Sequence, residues 1–353
     1  MKTVILRLLA LSFLITFISC SKDDDKGNGG GAGLSARVTG TVVTPSGKTV
    51  PGARISASGF SVKSDTEGRF SISLPAGDHE LRIYTGNGNI FMTKLPLTLT
   101  SGEERNLTTT QTKLEQIKAL AYIPGQYDMI QVVIVDSLGY NATPIGVWDL
   151  DNPASINTYG AIFLNCGLLE LGSGFMMNYN KYQNLLNYVT NYGSIYASDW
   201  AVECLTGDGN LRLAANATGN INPNHNHSGE KSSATCWSPM LGGFIEDSTL
   251  CTYKSGPDGF FTDAQVLDVD LINALGKDSV DILYDLQDWE MINLYDTPFV
   301  PIMTHQFFGP IALKADLNTS AAHGNIYFTT FHNQPQGVSN DVETILNYII
   351  LNL

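Results

Sequence analysis

The chain predicts a multidomain protein, an all-β sandwich followed by an α/β domain with a mostly parallel sheet. Three observations carry that prediction. Residues 36–110 hold short runs in which apolar and polar residues alternate, the period of a half-buried strand. From residue 114 onward the strand-like runs are almost continuously apolar and are interleaved with helical spacing, as strands covered on both faces require. At 353 residues and 43% apolar content, the chain has the length for about two domains and enough apolar side chains for a core in each.

Residues 1–19 begin with Lys2 and Arg7 and continue as an apolar run from Leu8 to Ile18, too short for a membrane span; a signal peptide is expected. The end of that run, Phe17-Ile18-Ser19-Cys20, resembles a bacterial lipobox. The resemblance implies acylation of Cys20, with palmitate-type chains holding the protein to a membrane. More than one chain makes the attachment durable, because each buried CH₂ contributes about 0.8 kcal/mol. Residues 20–35 carry a charged run and then mostly glycine, so they cannot bury apolar surface and are expected to be a flexible tether. Within them, Lys22-Asp23-Asp24-Asp25 resembles the acidic export tag of surface lipoproteins in the Bacteroidota, which implies a lipid anchor in the outer membrane, facing the cell surface. A formal charge of −14 without a basic run argues against nucleic acid or anionic lipid as a surface partner.

Export places Cys166, Cys204, Cys236 and Cys251 in an oxidising compartment, where four cysteines allow three full pairings. Of these, Cys236 with Cys251, which closes a short loop, is the pairing expected first, and Cys166 with Cys204, both just beyond predicted strands, would accompany it.

In the first domain the runs at residues 38–43, 53–57, 69–74 and 79–84 are separated by turn signals such as Pro51-Gly52 and Pro75-Ala76-Gly77. Gly40-x-Val42, Pro51-Gly52-Ala53, Ser64-Asp65-x-x-Gly68-x-Phe70 and Leu74-Pro75-Ala76-Gly77 together resemble the carboxypeptidase regulatory-like domain, a transthyretin-like sandwich. The resemblance implies a spacer or interaction module. Gly68 suits a turn with positive φ, after which Phe70, Ile72 and Leu74 point to one face. His79 alternates with Leu81 and Ile83 and is expected to face solvent.

In the second domain, residues 129–135 and 159–167 predict strands, residues 180–192 a helix, and residues 193–198 a further strand turning into a helix at Ser198-Asp199-Trp200. Residues 205–262 are rich in Gly, Asn, Ser and Thr and predict a loop-rich insertion. Thr262-Asp263-Ala264-Gln265 predicts a capping box opening a helix that ends near Gly276. Residues 280–286 and 289–294 predict a hairpin, residues 324–331 a strand ending at His332, and residues from Asn340 a final helix with Glu343 in the capping-box position.

The order of these corners is similar to the class I glutamine amidotransferase-like fold, a flavodoxin-like architecture. That resemblance implies a cysteine nucleophile at the strand-to-helix corner and a later Phe-His-Pro-Glu supplying the base and its orienting acid. Here the corner offers Ser198, Asp199 or Trp200 and no cysteine; His332 matches the base, while Asn333 and Gln334 stand where Pro and Glu would be. A neutral Gln334 can orient His332 but cannot offset its charge. Cys166 falls where the family keeps backbone donors. The candidate site residues are therefore Ser198, Asp199, His332 and Gln334, with a non-catalytic binding role for a glycan or peptide ligand expected first. The alternative is a secreted hydrolase of amide or glycan bonds using Ser198 or Asp199 with His332. No cofactor or metal is expected: His225-x-His227 in a Gly/Asn-rich loop, and Asp208-Gly209 or Asp258-Gly259 without a run of acids, read as solvated turns. Trp237, Tyr253 and Phe260 in the insertion are candidates for stacking on a sugar ring.

Overall fold

A computed structural model describes residues 35–167, 179–206, 252–256, 259–284, 289–294, 299–316, 324–333 and 340–353. The signal peptide, Cys20, the tether up to Leu34, Asp208, Gly209, His225, His227, Cys236, Trp237, Cys251, Asp258 and Gln334 lie outside the described residues.

The first half forms two facing sheets. Its strands are β1 (Ala36–Thr41), β2 (Arg54–Ala57), β3 (Phe60–Lys63), β4 (Arg69–Leu74), β5 (Gly77–Tyr84), β6 (Met92–Leu99) and β7 (Glu104–Asn106). One sheet has the order β4-β1-β7 and the other β3-β2-β5-β6. Phe70, Ile72 and Leu74 of β4 are all buried, and Gly68 has φ +75°, as the alternation and the turn predict. His79 is half-buried, between the Ser58 hydroxyl and the Pro75 carbonyl. Three strands escape pattern reading for local reasons: β3 is mostly exposed, β6 contains Pro96, and β7 is Glu-Arg-Asn.

The second half contributes β8 (Ala119–Ile123), β9 (Ala142–Pro144), β10 (Tyr159–Leu164), β11 (Ser194–Ser198), β12 (Thr252–Gly256), β13 (Gly259–Val266), β14 (Ser279–Tyr284), β15 (Trp289–Leu294), β16 (Phe299–His305), β17 (Gly309–Asp316) and β18 (Asn325–Thr329). Nine of them make one sheet, in the order β14-β13-β16-β17-β18-β11-β10-β8-β9, while β12 and β15 pair separately. Pairing is parallel from β18 through β11, β10 and β8 to β9, and antiparallel from β14 through β13, β16 and β17 to β18. The sheet is thus mixed rather than mostly parallel. The short turn between β16 and β17 leaves no room for the crossover that a parallel pair needs.

Four local expectations are corrected. Residues 129–135 are not a strand: a helical turn at Ile130–Val132 runs into a π-helical turn at Val133–Ser137. Ile130, Val133, Ile134 and Leu138 are buried at helical spacing, while Met129 and Val135 are exposed, so a continuous apolar run concealed a 3.6-residue period. The expected hairpin does not form, because β14 pairs with β13 and β15 pairs with β12. Residues 262–265 lie inside β13, whose register shifts around Asp263 at φ +58°. The helix starts later, at Val269–Leu275, where the Asp268 carboxylate accepts the Leu271 N–H, and it ends as expected at Gly276 in the left-handed conformation. Finally, the Glu343 carboxylate of the helix Asn340–Asn352 is drawn to Lys48 and to the Ser137 hydroxyl.

Residues Leu34–Leu353 form one compact unit. Its larger core runs from Ile55, Leu81 and Phe91 of the sandwich to Tyr140, Ile345 and Ile349, with the Phe91 and Tyr140 ring centroids 4.5 Å apart. The second core lies on the other face of the parallel strands, where Ile162, Ile195 and Ala197 meet Leu185, Leu186 and Val189 of the helix Tyr179–Thr190. Cys204 is buried in that second core.

Candidate functional site

Strands β8, β10, β11 and β18 run parallel side by side, so their carboxyl ends meet at one edge and the loops that follow converge there. The β8 loop brings Asp128, the β10 loop Asn165 and Cys166, the β11 corner Asp199, and the β18 loop His332 and Asn333. The first two loops are locked together: Tyr127 N–H donates to the Cys166 carbonyl at 3.2 Å, and a Cβ at Gly125 would sit 2.1 Å from that same oxygen. Only glycine permits this approach. The β18 loop is held by Asn333, whose side chain accepts the Met129 N–H at 3.0 Å and donates to the Met129 carbonyl at 2.8 Å.

Within this frame, Ser198 ends β11 with its hydroxyl donating to Asp128 Oδ2 at 2.5 Å and accepting the Cys166 N–H at 3.1 Å. Asp199 follows with φ +48°, a left-handed backbone unusual for a residue other than glycine and costing on the order of 1 kcal/mol or more. Its Oδ2 accepts the Cys166 thiol at 3.5 Å and stands 3.6 Å from His332 Nε2. All of these side chains are buried, Asp199 at 3%, Cys166 at 1% and His332 at 0% exposure. Burial pushes the Asp128 carboxyl above its usual range, opposed by His332 nearby and by the Ser198 hydroxyl.

Two tyrosines buttress the end of β18. Tyr196 shares a 2.8 Å hydrogen bond with Thr329, and Tyr284 one of 2.5 Å with Thr330. Trp289 stacks on Tyr284, Phe308 meets Trp289 edge-on, and His305 stacks on Phe308. This aromatic series leads to the turn between β16 and β17, where Phe307 is 75% exposed.

Of the residues that the sequence singled out, Asp199 and His332 come together, Ser198 is turned to Asp128, and Gln334 lies outside the described residues. The Cys166–Cys204 pairing is not formed, since Cys166 is engaged with Asp199 while Cys204 sits in the second core. Asp128 escapes sequence reasoning because the apolar run at 129–135 predicts a strand. With β8 ending at Ile123 instead, Asp128 falls in a carboxyl-edge loop, where the rule that finds Asp199 also finds it. The arrangement sets a thiol, a carboxylate and an imidazole around one point, with a second carboxylate behind.

Residues 37–112 match the carboxypeptidase regulatory-like domain. No curated protein matches the chain. Among solved structures, a Thermoplasma acidophilum protein named for GMP synthase is similar at 11% identity, covering 67% of this chain and 96% of its own, with a TM-score of 0.39. A Bacteroides uniformis protein named for carbohydrate binding is similar at 16% identity over 24% of this chain and 43% of its own, with a TM-score of 0.19. A DUF3823 family protein from Bacteroides ovatus is similar at 20% identity over 21% and 43%, with a TM-score of 0.16.

Proposed function

We propose that this is an envelope binding protein, anchored in the outer membrane through acylated Cys20 and facing the cell surface, whose second half holds a glycan or peptide ligand at the Cys166–Asp199–His332 edge. The observation that carries the proposal is the convergence of four strand-end loops on one buried, ionisable cluster, a costly arrangement that a purely structural corner does not need. In this reading the half is an amidotransferase-like scaffold that has lost its chemistry. The corner that would carry a thiol carries Asp199, and the neighbouring Ser198 hydroxyl is committed to Asp128 and the Cys166 N–H. The aromatic series ending at exposed Phe307 suits a ring-bearing ligand on the flank. Among the described residues no helix is long and apolar enough to cross a membrane.

A second reading is favoured by one observation. The left-handed Asp199 beside His332 Nε2 has the strain and the base of a nucleophilic corner, which would make the protein a hydrolase with Asp199 as nucleophile. Thermal unfolding of the full chain against panels of glycans and peptides, paired with turnover assays, separates the two. Binding predicts a ligand that raises Tm without being consumed and loses that effect in Asp199→Ala and His332→Ala. Turnover with a histidine-like inflection in its pH–rate profile gives the hydrolase. Stabilisation that persists in both variants contradicts the site.

A further inference from the structure

If the carboxyl edge is the ligand site, as proposed above, its side chains also determine what that edge holds first. Cys166, Asp199 and His332 each present one metal-ligating atom, and the three atoms lie within 4.8 Å of one another. Asp199 Oδ2 is the common corner, with Cys166 Sγ at 3.5 Å and His332 Nε2 at 3.6 Å. A tetrahedral zinc ion bound by one sulfur, one oxygen and one nitrogen sets ligand-to-ligand edges of about 3.3–3.6 Å, from bond lengths near 2.0–2.3 Å. Two of the three edges already have that length.

The donor chemistry points the same way. Thiolate and imidazole suit zinc and its borderline relatives, whereas calcium and magnesium call for an all-oxygen shell. Burial makes charges at Asp199 and Cys166 expensive, and a divalent cation between them offsets both. The support around the ligands is also in place. Ser198, held by Asp128, takes the Cys166 N–H, and Asn333 fastens the His332 loop to Met129. No sequence spacing marks such a site, because its ligands come from three separate loops.

We propose that Cys166, Asp199 and His332 form a three-ligand site for zinc or a similar divalent cation, with the fourth position left to water or to an oxygen of the bound ligand. As the metal–sulfur bond forms, the Cys166 thiol proton is released to solvent. The ligand class narrows with it: a glycan or peptide presenting a carboxylate completes the coordination.

The test is cobalt(II) uptake by the full chain purified free of metal, followed by absorption spectroscopy. One equivalent of cobalt with a thiolate-to-metal charge-transfer band is expected, displaced by zinc. Cys166→Ser removes the band and His332→Ala weakens uptake by more than about 100-fold, while Cys204→Ser and the Cys236→Ser/Cys251→Ser pair leave both unchanged. Should either ligand variant fail to fold, X-ray absorption on the cobalt-loaded wild type counts sulfur ligands directly: one supports the site, none or two overturns it. A folded wild type that takes up no cobalt, or a band that survives Cys166→Ser, also overturns it. Glycan or peptide stabilisation that persists under exhaustive chelation, and still depends on His332, removes the metal and keeps the binding site. The two failures are therefore distinguishable.

Discussion

The two halves of the molecule bury different polar groups. Among the described residues of the sandwich and the segment just after it, the buried polar side chains are hydroxyls: Thr44, Ser64, Thr85, Thr93 and Thr112. Several bond to nearby carbonyls, as Ser64 does to Val50 at 2.7 Å and Thr93 to Lys113 at 2.5 Å. In the second half the buried set includes Asp128, Asn165, Lys181, Asp199, His305 and His332. A buried hydroxyl that reaches a carbonyl costs little, whereas a buried ionisable group is expensive unless it is paired or used. The contrast supports the proposal of a ligand site in the second half, with the first as a spacer, although both share one continuous core.

The sharpest way to break the contrast is to disturb the loop packing that creates the edge. Gly125→Ala should cost about 3 kcal/mol or more, since the added Cβ would meet the Cys166 carbonyl oxygen; denaturant unfolding measures it. Next, Ser198→Ala removes the donor to a buried carboxylate and should cost about 1–3 kcal/mol, more than the roughly 1 kcal/mol expected for Thr93→Val in the support. Equal losses would mean that the two halves treat buried polar groups alike.

A smaller effect appears in pH dependence. The folded Asp128 carboxyl titrates above its unfolded value, so the folded state keeps that proton longer, and its contribution to stability declines as pH rises from the unfolded value through the folded one. Asp128→Asn should flatten that part of the Tm–pH curve; an unchanged slope would contradict the assignment. Smallest of all is Glu343→Gln at the contact between the halves. Its carboxyl is held low by hydrogen bonds from Lys48 and Ser137, so the stabilisation is present above the ordinary glutamate range and fades as pH falls through the depressed value. The pair is half exposed, and the loss should stay under about 1 kcal/mol.

What is legible in the sequence follows the same division. The alternation of Phe70, Ile72 and Leu74 and the turn at Gly68 are local signals, and the sandwich strands they mark form as expected. So do β10, β11 and the helix Tyr179–Thr190, whose patterns are complete within a few residues. Residues 129–135 are not legible, because β-branched residues in an unbroken apolar run fit a buried strand and a buried helix alike, and the neighbouring helix Asn340–Asn352 decides between them. Pairing of β13 to β16 and β14 is equally hidden, being set across the sheet rather than along the chain. At the edge, corner logic points to Asp199 and His332 singly. The thiol of Cys166 joins them only once the loops are placed in space, since export favours reading a cysteine as half of a disulfide.

The most direct test of the account is calorimetric titration of a stabilising glycan or peptide into the wild type, His332→Ala and the sandwich-surface variant Arg69→Ala. The account predicts binding that disappears in His332→Ala and is unchanged in Arg69→Ala. Binding that survives His332→Ala and is lost in Arg69→Ala would place the ligand on the sandwich and contradict the account.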